Sequence, residues 1–199
     1  DYWRSPDGTS FRIRPIRPDD EAAMVGFHGE LTDATVYGRY FELLGLSTRT
    51  AHERLARVCR PDEREAVLVV EHEASDGERR IVAVGRLSRE SERPAAEFAI
   101  VVGDRWQRRG LGSELLRRLV AIGREAGVEV IWADMLAANT GMRRTAERTG
   151  FTIVDELGSP TVSAELRVAR HEPTQSGPSR SGPSGSGPTR SGPDHPRRR

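Results

Sequence analysis

The sequence predicts a mixed α/β domain, built on a mixed, mostly antiparallel sheet with helices on both faces. Three observations carry this reading. Apolar, β-branched runs at residues 66–70, 81–87 and 97–102 follow one another with only short turns between them, as an antiparallel meander requires. From Leu111 the period changes: Leu111, Leu115, Leu119, Ile122 and Ala126 share one side and Arg117, Arg118, Arg124 and Glu125 the other, which marks an amphipathic helix. Another apolar run, Val128 to Asp134, follows that helix, and a helical crossover lays such a strand parallel to the one before it.

In chain order, residues 1–10 are polar and are expected to be a flexible N-terminus. Phe11-Arg12-Ile13-Arg14 alternates like a half-buried first strand. Asp19 and Asp20 open a helix through Phe27, with the acids where the helix dipole favours them. Thr32 or Asp33 caps a second helix, and the aromatic stretch Val36-Tyr37-Gly38-Arg39-Tyr40-Phe41 reads as core packing on the first helix, with the wall of a substrate cleft as the alternative. Residues 50–60 form a short arginine-rich helix. Asp76-Gly77 marks the hairpin between the strands at 66–70 and 81–87, and Pro94 introduces the strand that contains Glu97. The central helix runs from Gly110 to Ala126. Asn139 caps the next helix, Gly150 ends it, and Phe151-Thr152-Ile153-Val154 and Val162 to Val168 close the sheet.

The folded body is expected to span residues 11–170. From His171 the chain repeats Ser-Gly-Pro with nothing aliphatic or aromatic to bury, which predicts a disordered, Ser/Gly/Pro-rich basic tail over 171–199. Five of the 31 basic residues and two of the 30 acids lie in that tail, so residues 1–170 are formally −2. A body without basic excess gives no reason to expect specific nucleic-acid binding. No apolar run approaches the roughly 20 residues of a membrane helix, and no signal-peptide core is present, so a soluble cytoplasmic protein is expected. The one cysteine, Cys59, excludes an internal disulfide framework. His28, His52 and His72 lack metal-ligand spacing, and no metal is expected.

The stretch Glu97 to Gly112, EFAIVVGDRWQRRGLG, runs a buried strand through a basic, glycine-punctuated turn straight into the central helix. Such a turn aims free backbone N–H groups and two arginines at whatever occupies the helix N-terminus, which makes it an anion cradle. A dinucleotide fingerprint needs a third glycine where Leu115 stands, and a Walker loop needs a lysine, which this chain lacks altogether. What remains, Gln107-Arg108-Arg109-Gly110-Leu111-Gly112, resembles the Gln/Arg-x-x-Gly-x-Gly/Ala signature of the Gcn5-related N-acetyltransferases, the GNAT family. Asn139-Thr140-Gly141-Met142 ahead of Thr149-Gly150-Phe151 is similar to the ending of such domains. Arg14-Pro15-Ile16-Arg17-Pro18-Asp19-Asp20, Phe27-His28, Tyr37-Gly38-Arg39-Tyr40-Phe41 and Ala96-Glu97-Phe98-Ala99 look like the acetyltransferase domain of bacterial protein lysine acetyltransferases.

The resemblance implies a GNAT-like fold and acetyl-CoA as cosubstrate. Its pyrophosphate would be held by Gln107, Arg108, Arg109, Gly110, Gly112 and Ser113, with the backbone of Ile100 and Val102 beside the pantetheine, Asn139 nearby and Glu97 as the catalytic glutamate. It further implies a protein substrate such as an acyl-CoA synthetase. In that branch the domain is often fused to a regulatory or synthetase-like module, which this sequence does not contain. The residues support part of this independently. Glu97 interrupts an apolar strand, and on a sheet covered on both faces a glutamate needs water, a partner or a chemical role; an outward-facing strand residue is the alternative. At roughly 3.3 Å per residue it lies about 16 Å along the strand from Val102, comparable to the reach of a pantetheine arm. Asp134 is a second candidate base. Many family members carry a tyrosine that can protonate the leaving thiolate, and here Ala146 stands at the corresponding position. A small-molecule amine or amino acid as acceptor, and an acetyl-CoA-binding regulator without turnover, remain alternatives to a protein lysine.

Overall fold

The computed structural model describes residues 1–75, 77–155 and 158–168. The Ser-Gly-Pro tail, the last residues of the expected body and Asp76 of the expected hairpin turn lie outside them. Eight strands form one sheet: β1 (Tyr2–Arg4), β2 (Ser10–Pro15), β3 (Glu65–Glu73), β4 (Arg79–Arg89), β5 (Ala95–Val102), β6 (Val130–Leu136), β7 (Thr152–Asp155) and β8 (Thr161–Arg167). Their order is β1-β2-β3-β4-β5-β6-β8-β7. Every pairing is antiparallel except β5 with β6, which the intervening helix α5 (Leu111–Glu125) makes parallel.

The helices divide between the two faces. On one, α5 and α6 (Thr140–Arg148) cover a core built from Phe98, Ile100, Leu115, Leu119, Ile131 and Phe151. The approach of α5 is close: a Cβ on Gly123 would stand 2.8 Å from the Ile131 Cδ1, so any larger residue there would force that side chain to move. On the other face lie α1 (Glu21–Gly29), α2 (Asp33–Tyr40), α3 (Leu46–Arg49) and α4 (His52–Cys59). They bury Met24, Phe27, Val36 and Leu55 against Val67, Val69 and Val84. Alternation along the strands assigns the faces, so Phe98 and Ile100 point to α5 while Glu97, Ala99 and Val101 point to the α1–α4 side.

Arg14 joins this second layer to the sheet. Its guanidinium donates two parallel 2.7 Å hydrogen bonds to Asp20, in the turn before α1, and a 2.9 Å bond to Glu71 on β3. All three side chains are buried. Thr32 caps α2 by accepting from the Thr35 N–H, and the Asn139 side chain caps α6 by accepting from Met142 N–H at 3.1 Å.

Residues 1–10 differ from the expected flexible terminus. β1 pairs with β2 in register from Tyr2↔Arg12 to Arg4↔Ser10, and the turn closes through Ser5 N–H to Thr9 carbonyl at 2.9 Å, with Gly8 at φ +89°. Asp7-Gly8, a turn pair between the aromatic-bearing runs Tyr2-Trp3 and Phe11-Arg12-Ile13, is the hairpin signal in the sequence. The element order therefore gains a first strand, and α3 is a further short addition.

His28, on α1, is only 4% exposed, and its Nδ1 has no hydrogen-bond partner among the described residues. Burial first, then the charges of Arg49, Arg54 and Arg39, pushes its pKa down to about 4. Unfolded, the same imidazole takes up a proton below about pH 6.5. The unfolded state therefore gains protons first as pH falls, and stability is lost between about pH 6.5 and pH 4, by up to roughly 3 kcal/mol. Urea unfolding between pH 7.5 and 4.5 is expected to show that decline, and His28→Leu should flatten it.

Candidate active site

The parallel pairing of β5 with β6 covers only Ala95↔Val130, Ala96↔Ile131 and Glu97↔Trp132. Beyond this point β5 stays paired with β4 as far as Val102, and β6 stays paired with β8 as far as Leu136. The two halves of the sheet thus part into a gap, with Phe98 to Val102 unpaired with any strand on the β6 side among the described residues. Ile100, buried, and Val102, half-buried, both lie on this open edge. An extended, amide-bearing arm can supply the missing hydrogen bonds. Helix α2 lies across the gap, where the Cβ position of Gly38 stands 3.6 Å from the Asn139 amide nitrogen. Asn139 therefore faces the gap as well as capping α6.

At the far end of β5 the chain makes a 3-10 turn, Asp104–Trp106, and enters α5. Asp104 accepts hydrogen bonds from the Thr32 hydroxyl at 2.6 Å and the Thr35 hydroxyl at 2.8 Å. The Gln107 amide donates to Thr35 Oγ1 at 3.0 Å and to the Val102 carbonyl at 3.2 Å. These bonds fasten the turn to α2 and to the strand. Arg108 adopts φ 60°, an uncommon conformation for a non-glycine residue, and is exposed. Gly110 is the N-cap of α5 at φ +89°, with no side-chain capping bond. The first N–H groups of α5, from Leu111, Gly112 and Ser113, consequently open toward the turn.

Two glycines have different reasons for their smallness. A Cβ on Gly110 would be strained by the positive φ and would stand 3.3 Å from Trp3, so the N-terminal hairpin constrains this position. A Cβ on Gly112 would meet only Thr145 of α6, at an ordinary 3.7 Å. The hairpin also reaches Arg109, which bonds Asp7 at 2.8 Å and lies 5.3 Å over the Trp106 ring. The Ser5 hydroxyl and the hydrogen bonds from Thr9 hold the Asp7 carboxyl down to about 2, so it is ionised against Arg109 at neutral pH. Beside the cradle is an open cavity of about 450 Å³ lined by Trp3, Gly110, Ser113, Arg117, Arg148 and Thr149. Trp3 and Asp7 are the site residues that sequence reasoning missed.

Glu97 occupies the last paired position before the strands part, between Ser88 on β4 and Trp132 on β6. It is exposed, not set in the dry cleft that an apolar strand suggests, because α2 covers the gap beyond it and leaves this position open. Asp134, one strand-repeat past Trp132 on the same face of β6, is also exposed. Ala146, on the inward face of α6, is fully buried and presents no proton donor.

Residues 10–152 match the family model described as an acetyltransferase (GNAT) domain. Acetyltransferase PA5475 of Pseudomonas aeruginosa is 29% identical over 153 residues, covering 76% of this chain and 81% of that protein. Acetyltransferase Pat of Mycolicibacterium smegmatis is 32% identical over 150 residues, 75% of this chain, but these span only 43% of Pat. The crystal structure of the GNAT domain of S. lividans PAT matches with a TM-score of 0.74 and 26% identity, over 84% of this chain and 96% of that one. Strands that part after three parallel pairs, an uncapped helix start behind a basic turn, and a family model spanning residues 10–152 agree, and the chain belongs to the GNAT acetyltransferase family.

Proposed function

We propose that this domain transfers the acetyl group of acetyl-CoA to the ε-amine of a lysine on another protein, an acyl-CoA synthetase being one candidate, with Glu97 as general base. The observation that carries the reading is the gap itself. It begins at Glu97, runs beside the unpaired edge of β5, and ends at the open N-terminus of α5. Pyrophosphate fits the α5 terminus with its free N–H groups, Arg108 and Arg109. The pantetheine arm fits the open edge beside Ile100 and Val102, which brings the thioester toward Glu97.

A lysine amine is neutral in only about one molecule in 10³ at pH 7. Glu97, directly or through a water, removes the proton; the nitrogen lone pair then attacks the thioester carbonyl carbon. Backbone N–H groups on the unpaired edge can stabilise the oxyanion. Collapse breaks the C–S bond, the nitrogen gives up its remaining extra proton to the departing thiolate or to solvent, and the thiolate, with a thiol pKa near 8.5, needs no protein acid. This suits a site where Ala146 offers none. The exposure of Glu97 gives its proton a route to solvent. Direct attack is favoured over an acyl-enzyme because burial, together with nearby Asp20 and Glu21, pushes the Cys59 thiol up to about 11.

Gly112→Asp tests the cofactor site. The new Cβ has room, and an acid in the first turn of a helix is itself favourable, so the fold should persist. Its charge would oppose the pyrophosphate, and calorimetry is expected to lose acetyl-CoA binding while circular dichroism stays native. Unchanged affinity would remove the cofactor from this turn.

Glu97→Gln keeps the shape of the side chain and removes the basic oxygen. With purified acceptor proteins and free amines as alternative substrates, kcat near pH 7 should fall by roughly 10²–10⁴ with acetyl-CoA affinity little changed, and the deficit should shrink as pH rises. A pH–rate profile equal to the parent's in height and shape would overturn the assignment and turn attention to Asp134. Label appearing only on small amines would reassign the acceptor.

A further inference from the structure

The last turn of α2 carries Arg39 and Tyr40 on the face of the sheet where Glu97 lies. The guanidinium of Arg39 stands 5.0 Å from the centroid of the Tyr40 ring, and that of Arg54, from α4, stands 5.1 Å from the same centroid. Both arginines are half-buried. Neither makes a hydrogen bond or a carboxylate ion pair with any described residue, and ring contacts hold them in place. Their neighbours do not compensate them. Arg49 is buried and donates to the carbonyls of Leu44 and His28, adding charge without an acid. Arg86 is taken by Glu65. After the Tyr40 ring, the Glu97 carboxylate is the next charge that favours the Arg39 cation, and it is not in ion-pair contact. His28 stays neutral beside this cluster at physiological pH.

A guanidinium taken partly out of water without an acidic partner is unfavourable. Two of them sharing one ring repel each other as well. Such an arrangement gains most from an anion that brings its own charge and two acceptor oxygens, and the planar guanidinium fork matches a carboxylate. We infer that Arg39 and Arg54 form a carboxylate receptor next to the acceptor amine, so that the preferred acceptor bears an acidic group close to the nitrogen that is acetylated. The inference rests on the proposed role of this face as the acceptor side. The carboxylate can come from an acidic side chain flanking a lysine in a protein or from the α-carboxylate of a free amino acid.

The test uses matched acceptors. One pair is a lysine peptide with aspartates at the flanking positions and its asparagine counterpart; the other is free lysine and its carboxamide. The parent protein is expected to favour the acidic member of a pair by on the order of 10- to 100-fold in kcat/KM, expressed in KM, as charge-assisted hydrogen bonds allow. A preference in the peptide pair alone identifies an acidic side chain, and one in the amino-acid pair alone an α-carboxylate. Arg39→Gln and Arg54→Gln should each reduce the preference and together abolish it, whereas Arg39→Lys should retain part of it. Calorimetric binding of the acetylated product peptides supplies a readout independent of turnover: the aspartate product should bind the parent and not the double variant. Equal KM and equal product binding within both pairs would overturn the inference while leaving the acetyltransferase reading intact. Loss of kcat for acidic and neutral acceptors alike in Arg39→Gln, with an altered pH profile, would also overturn it, and would make Arg39 a positioning residue for Glu97. Absence of transfer to every acceptor, with product binding still dependent on the two arginines, would fail the catalytic reading and support the receptor.

Discussion

The parallel contact between β5 and β6 lasts three residues, and the geometry of the candidate site depends on where it stops. Each strand has a longer antiparallel partner on its outer side, β4 for β5 and β8 for β6, and each follows that partner. Two twisted half-sheets held together at one end must diverge at the other. Divergence leaves a strand edge without hydrogen bonds in the middle of a sheet, a costly feature unless something else occupies it. Helix α2 bridges the opening from one face while α5 and α6 close the other. What remains is a slot that starts at Glu97 and finishes at the N-terminus of α5.

Second-layer contacts keep that slot in position. Asp104 and Gln107 bind the start of α2 to the turn, so the helix over the gap and the anion cradle behave as one unit. Arg14, gripped by Asp20 and Glu71, ties the beginning of α1 to two strands. Removing one member of a buried ionic group of this kind strands the others without partners, which is why such groups fix an arrangement even where they add little net stability. On the opposite side Trp3 and Asp7 close the cradle from the N-terminal hairpin. In the proposed binding mode Arg109 would have two claimants, Asp7 and the cofactor phosphate. Because Asp7 is exposed and screened by solvent, its pair with Arg109 is a weak competitor.

Charge is arranged differently at the two ends of the slot. At the α5 end, backbone N–H groups and Arg108 suit an anion that the family is known to carry. On the Glu97 face, Arg39 of α2 feels the charges of Arg54 from α4 and Arg86 from β4 as well as that of Glu97, although the chain up to residue 170 is slightly acidic. Local excess of this kind on a near-neutral body reflects placement, not composition, and it is the basis for reading acceptor chemistry from this face.

By itself the sequence determined what depends on neighbours along the chain. Period-2 and period-3.6 patterns located the strands and helices that carry the site. Gln107 to Gly112 marked the cradle because its glycines, arginines and helix start are contiguous, and Asn139 was legible as a cap because capping acts over three residues. Tertiary structure alone decided what depends on register and on distant contacts. The three-residue length of the β5–β6 pairing cannot be read from either strand, since it follows from how each is held by its outer neighbour. The packing of Trp3 on Gly110 joins positions about a hundred residues apart, and Tyr40 receives Arg54 from another helix. The solvent exposure of Glu97 was likewise hidden: an acid in an apolar run signals a constrained site, but only the edge of α2 determines whether that site is covered. Local pattern specifies which face a side chain takes; long-range packing specifies what, if anything, stands above it.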